Sequence, residues 1–169
     1  NAIPPRCDGS NSGPCIPSFD EYKKAYFGNN NPKRYAYHYA IIGHRRNPGD
    51  VATGCGEWPG NDFYVSVGGS SSSGIGSDQE LAGTIMHELG HNFFLSHGGD
   101  PYNTAERDRK YKPNYYSVMN YMYQTDGLYG LAGTNGLTNK IDYSDGVLAP
   151  ITESTLSETT LWGSASPSW

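Results

Sequence analysis

The spacing of apolar residues predicts one strong amphipathic helix in the middle of the chain, over about Asp78–Phe93. Leu81, Ile85 and Leu89 recur every four residues, which places them on one helical face. The segment opens with Ser77-Asp78-Gln79-Glu80, the pattern of a capping box, in which the Ser and Glu side chains bind the free N–H groups of the first turn. Periodicity and cap agree, so this helix is the best-specified element of the sequence.

Segments rich in Tyr, Ile and Val before that helix predict a small β-sheet. Arg34–His44 and Asp62–Val67 have the composition of strands. Val51–Glu57 is weaker and broken by glycine, which is typical of a strand at a sheet edge. The expected order is therefore strand, poor edge strand, strand, and then the main helix.

Shorter elements are predicted on both sides of this region. A helix follows the capping box Ser18-Phe19-Asp20-Glu21 and ends at Gly28, and another lies around Glu153–Leu161. Residues 68–76 form a Gly/Ser connector, and residues 98–149 are mostly turns. Such a long irregular segment needs something besides an apolar core to hold it, and a metal site can do so.

Composition and charge narrow the function classes. The chain has 169 residues, 17% of them charged, with a net charge of −5. No Lys/Arg run exceeds two residues, so nucleic acid is not an expected partner, and no apolar run is long enough to span a membrane. We expect one domain over residues 1–169, monomeric and, from its low Lys and high Tyr, Ser, Gly and Asn content, secreted.

The main helix carries the motif His87-Glu88-Leu89-Gly90-His91. Residues four apart share a helical face, so both imidazoles can bind one metal ion. Glu88 is placed to take a proton from a zinc-activated water rather than to bind the metal. His97 follows beyond the expected helix end. Three histidines and an open fourth position predict a hydrolytic zinc site.

This motif resembles that of the metzincin metalloendopeptidases, H-E-x-x-H-x-x-G-x-x-H followed by a Met-containing turn. His87, Glu88, His91 and His97 match it, and Ser117-Val118-Met119-Asn120-Tyr121 is similar to the S-x-M-x-Y turn of astacins and serralysins. The resemblance implies that Met119 forms the floor beneath the zinc. It also implies that Tyr121 is a switchable zinc ligand that stabilises the transition-state oxyanion.

The resemblance also implies a fold. It is an α+β architecture with a twisted mixed sheet, an antiparallel edge strand and the active-site helix in an upper subdomain, residues 1–97. An irregular lower subdomain, residues 98–169, carries the Met-turn and a C-terminal helix. The edge strand of the family binds extended substrate through backbone pairing, and we assign that role to Val51–Glu57.

One position departs from the family pattern. Phe94 stands where the family has glycine, a residue that takes a positive φ so that the chain can turn toward the third histidine. Either the metal holds Phe94 in a strained conformation, or the helix ends with another geometry in which Asn92 takes the turn. If His97 is not the third ligand, Asp100 is the nearest substitute and Glu106 the next.

The function expected from these residues is zinc-dependent endopeptidase activity on protein or peptide substrates, with Glu88 as general base. Two alternatives remain. One is a zinc metallopeptidase with an acidic third ligand, and the other is a non-catalytic zinc-stabilised binding module. A merely structural site needs neither Glu88 nor Tyr121, which favours the enzyme.

The three cysteines and one acidic turn suggest further features. We expect Cys7 and Cys15 to form a disulfide that leaves Cys55 free; a bridge from either one to Cys55, pinning the N-terminal arm to the edge strand, is the alternative. Pro5-Arg6-Cys7 resembles part of the cysteine switch of matrix metalloproteinases, in which a thiolate caps the zinc. Asp142-x-x-Asp145-Gly146 is interpreted as a turn, with calcium binding as the alternative.

Overall fold

Three short strands lie between the first two helices that the structure describes, and a third, short helix and two further strands follow. The computed structural model describes residues 19–28, 30–45, 51–69 and 74–146. The helices are α1 (Phe19–Tyr26), α2 (Asp78–Asn92) and α3 (Thr104–Arg107), and the 3₁₀ turns are Pro32–Tyr35 and Val67–Gly69. The strands are β1 (Tyr39–Ile42), β2 (Gly54–Gly56), β3 (Asp62–Val65), β4 (Leu128–Ala132) and β5 (Asn139–Lys140). These elements confirm the α+β class.

Strands β1, β3 and β2 form a mixed sheet in that order. β1 runs parallel to β3, and β2 runs antiparallel to it, so β2 lies at an edge as predicted. All four residues of β3 are buried because helices cover both faces of the sheet. Phe63 and Val65 face the apolar side of α2, and Tyr64 packs with Phe19 of α1 on the other side. The sheet thus fixes α2, which carries the histidine motif.

Helix α2 forms as its sequence pattern predicts. The Ser77 hydroxyl accepts from the Glu80 N–H at 3.2 Å, and the Glu80 carboxylate accepts from the Ser77 N–H at 2.6 Å. Leu81, Ile85 and Leu89 pack against the core cluster of β3. Both the capping box and the apolar face are confirmed.

Two regions differ from the predicted elements. The first strand is shorter than predicted, since Asn31 and Pro32 begin a 3₁₀ turn that takes up Arg34 and Tyr35. Residues 98–149, predicted to be mostly turns, contain α3 and an antiparallel pair formed by β4 and β5. The register of this pair shifts between Leu128 and Ala132. The helix predicted around Glu153–Leu161 lies outside the described residues.

Cys55 of β2 is disulfide-bonded, so the expectation that it is free is wrong. The chain has only three cysteines, so a disulfide that includes Cys55 excludes the expected Cys7–Cys15 pair. Cys55 is almost fully buried in the edge strand. The spacing of the cysteines in the sequence does not show which of them lie close together in the fold. Cys7 and Cys15 themselves lie outside the described residues.

Within the described ranges, no helix is both long enough and apolar enough to cross a membrane. The Asp142 carboxylate pairs with Lys140 at 2.7 Å and accepts from the Tyr143 N–H at 2.9 Å. The two-residue contact of this segment is made by Ser144, whose hydroxyl accepts from the Gly146 N–H at 3.2 Å. Calcium binding stays a prediction.

Candidate active site

The structure brings His87, His91 and His97 together. The Nε2 atom of His91 lies 3.1 Å from Nε2 of His87 and 3.1 Å from Nε2 of His97. Of the described residues, these three form the one set of His, Cys, Asp and Glu side chains whose ligand atoms all lie close enough for a shared metal ion. Two of them lie one turn apart on α2, and the third comes from the loop beyond it.

Backbone carbonyl groups orient two of these imidazole rings. Nδ1 of His87 lies 2.9 Å from the Val118 carbonyl oxygen, and Nδ1 of His91 lies 3.0 Å from that of Leu95. A ring that donates through Nδ1 presents a bare Nε2 lone pair. Three converging lone pairs repel one another unless a cation lies between them. Tetrahedral zinc with Zn–N bonds of about 2.0–2.1 Å separates its ligands by about 3.3 Å, so these residues fit zinc.

Burial keeps the three rings in the neutral form that a metal requires. Desolvation lowers the pKa of His91 to about 4 and that of His97 to about 3, and it lowers the pKa of His87 as well. The neighbouring histidines lower the pKa of His87 and His97 further, since two adjacent imidazolium ions repel. A metal ion therefore meets little competition from protons at neutral pH.

Phe94 does adopt the positive φ of the glycine it replaces, at 70°. Its ring stacks on Trp58 with centroids 4.6 Å apart and meets Tyr102 edge-on at 5.5 Å. The Trp58 indole N–H donates to the carbonyl of Leu95 at 3.0 Å, so the same tryptophan holds the next residue. Aromatic packing thus stabilises a conformation that costs about 1–2 kcal/mol, and the chain turns to present His97.

The Glu88 side chain is buried between α2 and the edge strand. Its carboxylate lies so close to Gly54 that a Cβ there would collide with it, and a Cβ on Gly56 would lie 2.7 Å from the Glu88 carbonyl oxygen. The glycines of β2 therefore let the strand approach the helix at this residue. Burial raises the pKa of the Glu88 carboxyl well above its usual value.

The segment Ser117–Tyr121 lies directly under the histidine helix. Met119 is fully buried, and its sulfur packs so closely on Gly90 that no side chain fits there. The Asn120 amide donates to the carbonyls of Lys112 at 2.7 Å and Tyr115 at 3.0 Å, which fixes the turn. The ring of Tyr121 lies 4.5 Å from that of His97, centroid to centroid. Met119 thus lies buried beneath the helix, while the other proposed site residues line one cleft: His87, Glu88, His91, His97 and Tyr121.

The two acidic substitutes for His97 are engaged elsewhere. The Asp100 carboxylate accepts from the Tyr102 N–H at 2.9 Å. Glu106 pairs with Lys112 at 2.9 Å and with Arg109 at 3.6 Å. His97, in contrast, lies within ligand distance of the other two histidines, so the geometry favours the histidine.

Some cleft residues are not evident from the sequence. Besides the motif residues, the lining includes Gly54, Cys55, Gly56, Trp58, Ser96, Arg107 and Asp108. Trp58 follows the predicted edge strand, and the sequence indicates only that it belongs to a turn. Arg107 and Asp108 are adjacent charged residues, and nothing in their sequence context indicates a place in the cleft. The glycines of the edge strand do carry a signal, because glycine in a strand allows another element to approach closely.

A family comparison agrees with this site. Residues 19–115, more than half of the chain, match the family model described as Peptidase M66. The chain belongs to the peptidase M66 family. The match includes all three histidines and Glu88, and M66 membership supports a peptidase activity. It ends before Ser117, so it says nothing of Met119 or Tyr121. No curated protein and no solved structure matches the chain.

Proposed function

We propose that this M66 peptidase is a secreted zinc-dependent endopeptidase of the metzincin type. One observation carries the proposal: the ligand atoms of three histidines converge in a cleft that also contains the buried carboxyl of Glu88. Zinc held by His87, His91 and His97 would polarise the scissile carbonyl and lower the pKa of the attacking water. The buried turn around Met119 and the cleft position of Tyr121 support the metzincin assignment.

Glu88 is the proton carrier of the proposed reaction. Its carboxylate accepts a proton from the attacking water and returns it to the nitrogen of the leaving amine, so that no net proton is consumed in this transfer. Burial raises the pKa of this carboxyl above its usual value, which makes its carboxylate a stronger base. Gly54 provides the space that this carboxylate occupies, since a Cβ at that position would collide with it.

Tyr121 and the edge strand position the substrate. The Tyr121 ring lies beside His97, where its hydroxyl can donate to the developing oxyanion; such a donor contributes about 3 kcal/mol to catalysis. Strand β2 pairs with β3 along one side, and its other side can pair with an extended peptide. The substrate backbone would then run past Glu88.

The test is cleavage of casein with a chelator and after zinc is returned. Activity should vanish on chelation and recover with one zinc per chain. Glu88→Gln should keep the bound zinc but lose about 10²–10⁴-fold in turnover, because the amide cannot accept the proton. Glu21→Gln, an exposed position on α1, is the matched control and should match the wild type. Zinc binding without cleavage would instead indicate a zinc-stabilised binding module.

A further inference from the structure

Three larger side chains line the cleft but have no part in holding zinc or moving the proton. They are Trp58, Arg107 and Asp108. Since the cleft admits the substrate, these side chains face whatever the peptide presents beside the scissile bond. Their arrangement therefore bears on which substrates fit.

The Arg107 guanidinium is held in a fixed position on the cleft wall. It lies over the Trp58 ring, 5.2 Å from the centroid. Trp58 is itself fixed by stacking on Phe94 and by its bond to the Leu95 carbonyl. A guanidinium on a rigid aromatic surface loses little conformational entropy when it binds a ligand.

The backbone of α3 connects Arg107 to the loop that carries the third histidine. The Gly98 N–H donates to the Arg107 carbonyl at 2.9 Å. A side chain at position 98 would collide with the carbonyl oxygen of Glu106, so the two segments are in direct contact. The backbone therefore fixes the point from which the Arg107 side chain extends, relative to the loop of the third histidine.

The Arg107 guanidinium keeps free donors although it is paired with Asp108. The Arg107 Nε and Nη2 atoms donate to a single oxygen, Asp108 Oδ2, at 3.1 and 2.9 Å. Those bonds use two of about five guanidinium N–H donors. Lys110 adds a second cation, 5.0 Å from the Tyr121 ring centroid, while Glu106 is paired with Lys112 and Arg109. Two cations and one carboxylate thus lie at or near this wall, and Arg107 is the cation that lines the cleft.

We infer that Arg107 determines specificity by binding an acidic side chain of the peptide substrate. A guanidinium matches a carboxylate in geometry as well as in charge. Asp108 holds Arg107 in place and partly neutralises it, so that Asp108 opposes the preference that Arg107 creates. This inference rests on the proposed peptidase function.

The test is a series of peptides that carry Glu or Gln at each position around the cleaved bond in turn. At one position the Glu peptide should show a kcat/KM about fivefold higher than the Gln peptide. Arg107→Gln should bring this ratio close to one. Asp108→Asn should raise it, because the guanidinium then faces the substrate without a competing carboxylate. Arg109→Gln, an exposed arginine in the same segment, should leave the ratio unchanged.

Recognition predicts that the ratio falls in Arg107→Gln and rises in Asp108→Asn. A merely structural role of this pair would change the ratio in the same direction in both variants. Zinc content and thermal unfolding check that each variant is folded. If Arg107→Gln does not fold, Arg107→Lys replaces it and should lower the Glu-to-Gln ratio of kcat/KM. In the wild type, the same ratio should fall between about 50 and 500 mM salt, because salt screens the charge interaction. Cleavage with no acidic preference, or shifts in one direction, overturns the inference alone. No cleavage of any peptide overturns the proposed function and the inference with it.

Discussion

Phe94 shows how packing can hold a large side chain in a glycine conformation. The residue has a φ of 70°, and its ring stacks on Trp58. The stack compensates for backbone strain at the point where the chain leaves α2 for His97. Trp58 and Phe94 therefore act together as a support for the third histidine.

Substitutions at Phe94 should reveal this strain. Both Phe94→Ala and Phe94→Gly lose the stacked ring, but only glycine also removes the strain. We expect the glycine variant to be more stable than the alanine variant by about 1 kcal/mol, measured by urea denaturation. An alanine variant as stable as the glycine variant, or more so, would contradict the account of this turn.

At the scale of elements, the contact between α2 and the turn below it depends on Gly90. Met119 fills the space that a side chain at this position would need, and Tyr143 closes it from another side. The Tyr143 hydroxyl donates to the Met86 carbonyl at 2.6 Å, which strengthens the same contact. The helix thereby presses on the turn whose Val118 carbonyl orients His87.

Gly90→Ala should destabilise the protein although alanine favours a helix by about 1 kcal/mol over glycine. The added methyl group forces Met119 out of place, and such overpacking costs about 1–3 kcal/mol. Thermal unfolding of the variant should show a lower midpoint and reduced zinc affinity. An increase in the stability of Gly90→Ala would mean that Met119 does not pack tightly against the helix at this position.

The elements that the sequence predicts best are those with local determinants. The Ser77 capping box and the apolar face of α2 lie within one segment, and so do the two helical histidines. The pairing of β4 with β5 is not evident because β5 has only two residues and the register is irregular. The disulfide of Cys55 likewise depends on tertiary placement, which the spacing of cysteines does not encode.

At the scale of the whole molecule, the cleft is assembled by contacts between distant residues. Trp58 bonds to a carbonyl 37 residues later, and His87 bonds to one 31 residues later. The motif residues could be named from the sequence because their types and spacing carry the chemistry. Arg107, Asp108 and Trp58 could not, since only the fold brings them to the same wall.

The neutral histidine cluster links stability to pH in the chelated protein. His97 has a pKa of about 3 when folded and an ordinary value near 6.5 when unfolded. The unfolded chain therefore binds more protons between these values, and stability falls as the pH drops through this window. From pH 7.5 to 5.0, His97 alone should lower the free energy of unfolding by about 2 kcal/mol.

Denaturant unfolding of the chelated protein and of His97→Gln isolates this contribution. Titrating groups away from the cluster, such as Glu57 with its raised pKa, are common to both proteins, so their effects cancel in the difference. His87 is the exception, because His97 helps to lower its pKa. The variant should lose about 2 kcal/mol less than the wild type over the same range. Equal losses would show that His97 is not held neutral in the fold.

The most direct test of the account is anomalous diffraction at the zinc edge from a crystal of the protein. We expect one zinc peak within about 2.0–2.1 Å of the Nε2 atoms of His87, His91 and His97, beside the Glu88 carboxylate and above Met119. A zinc ion bound through Asp100 or Glu106 in place of His97 would contradict the metzincin assignment. A crystal grown with zinc that shows no peak at these histidines would contradict the zinc peptidase itself.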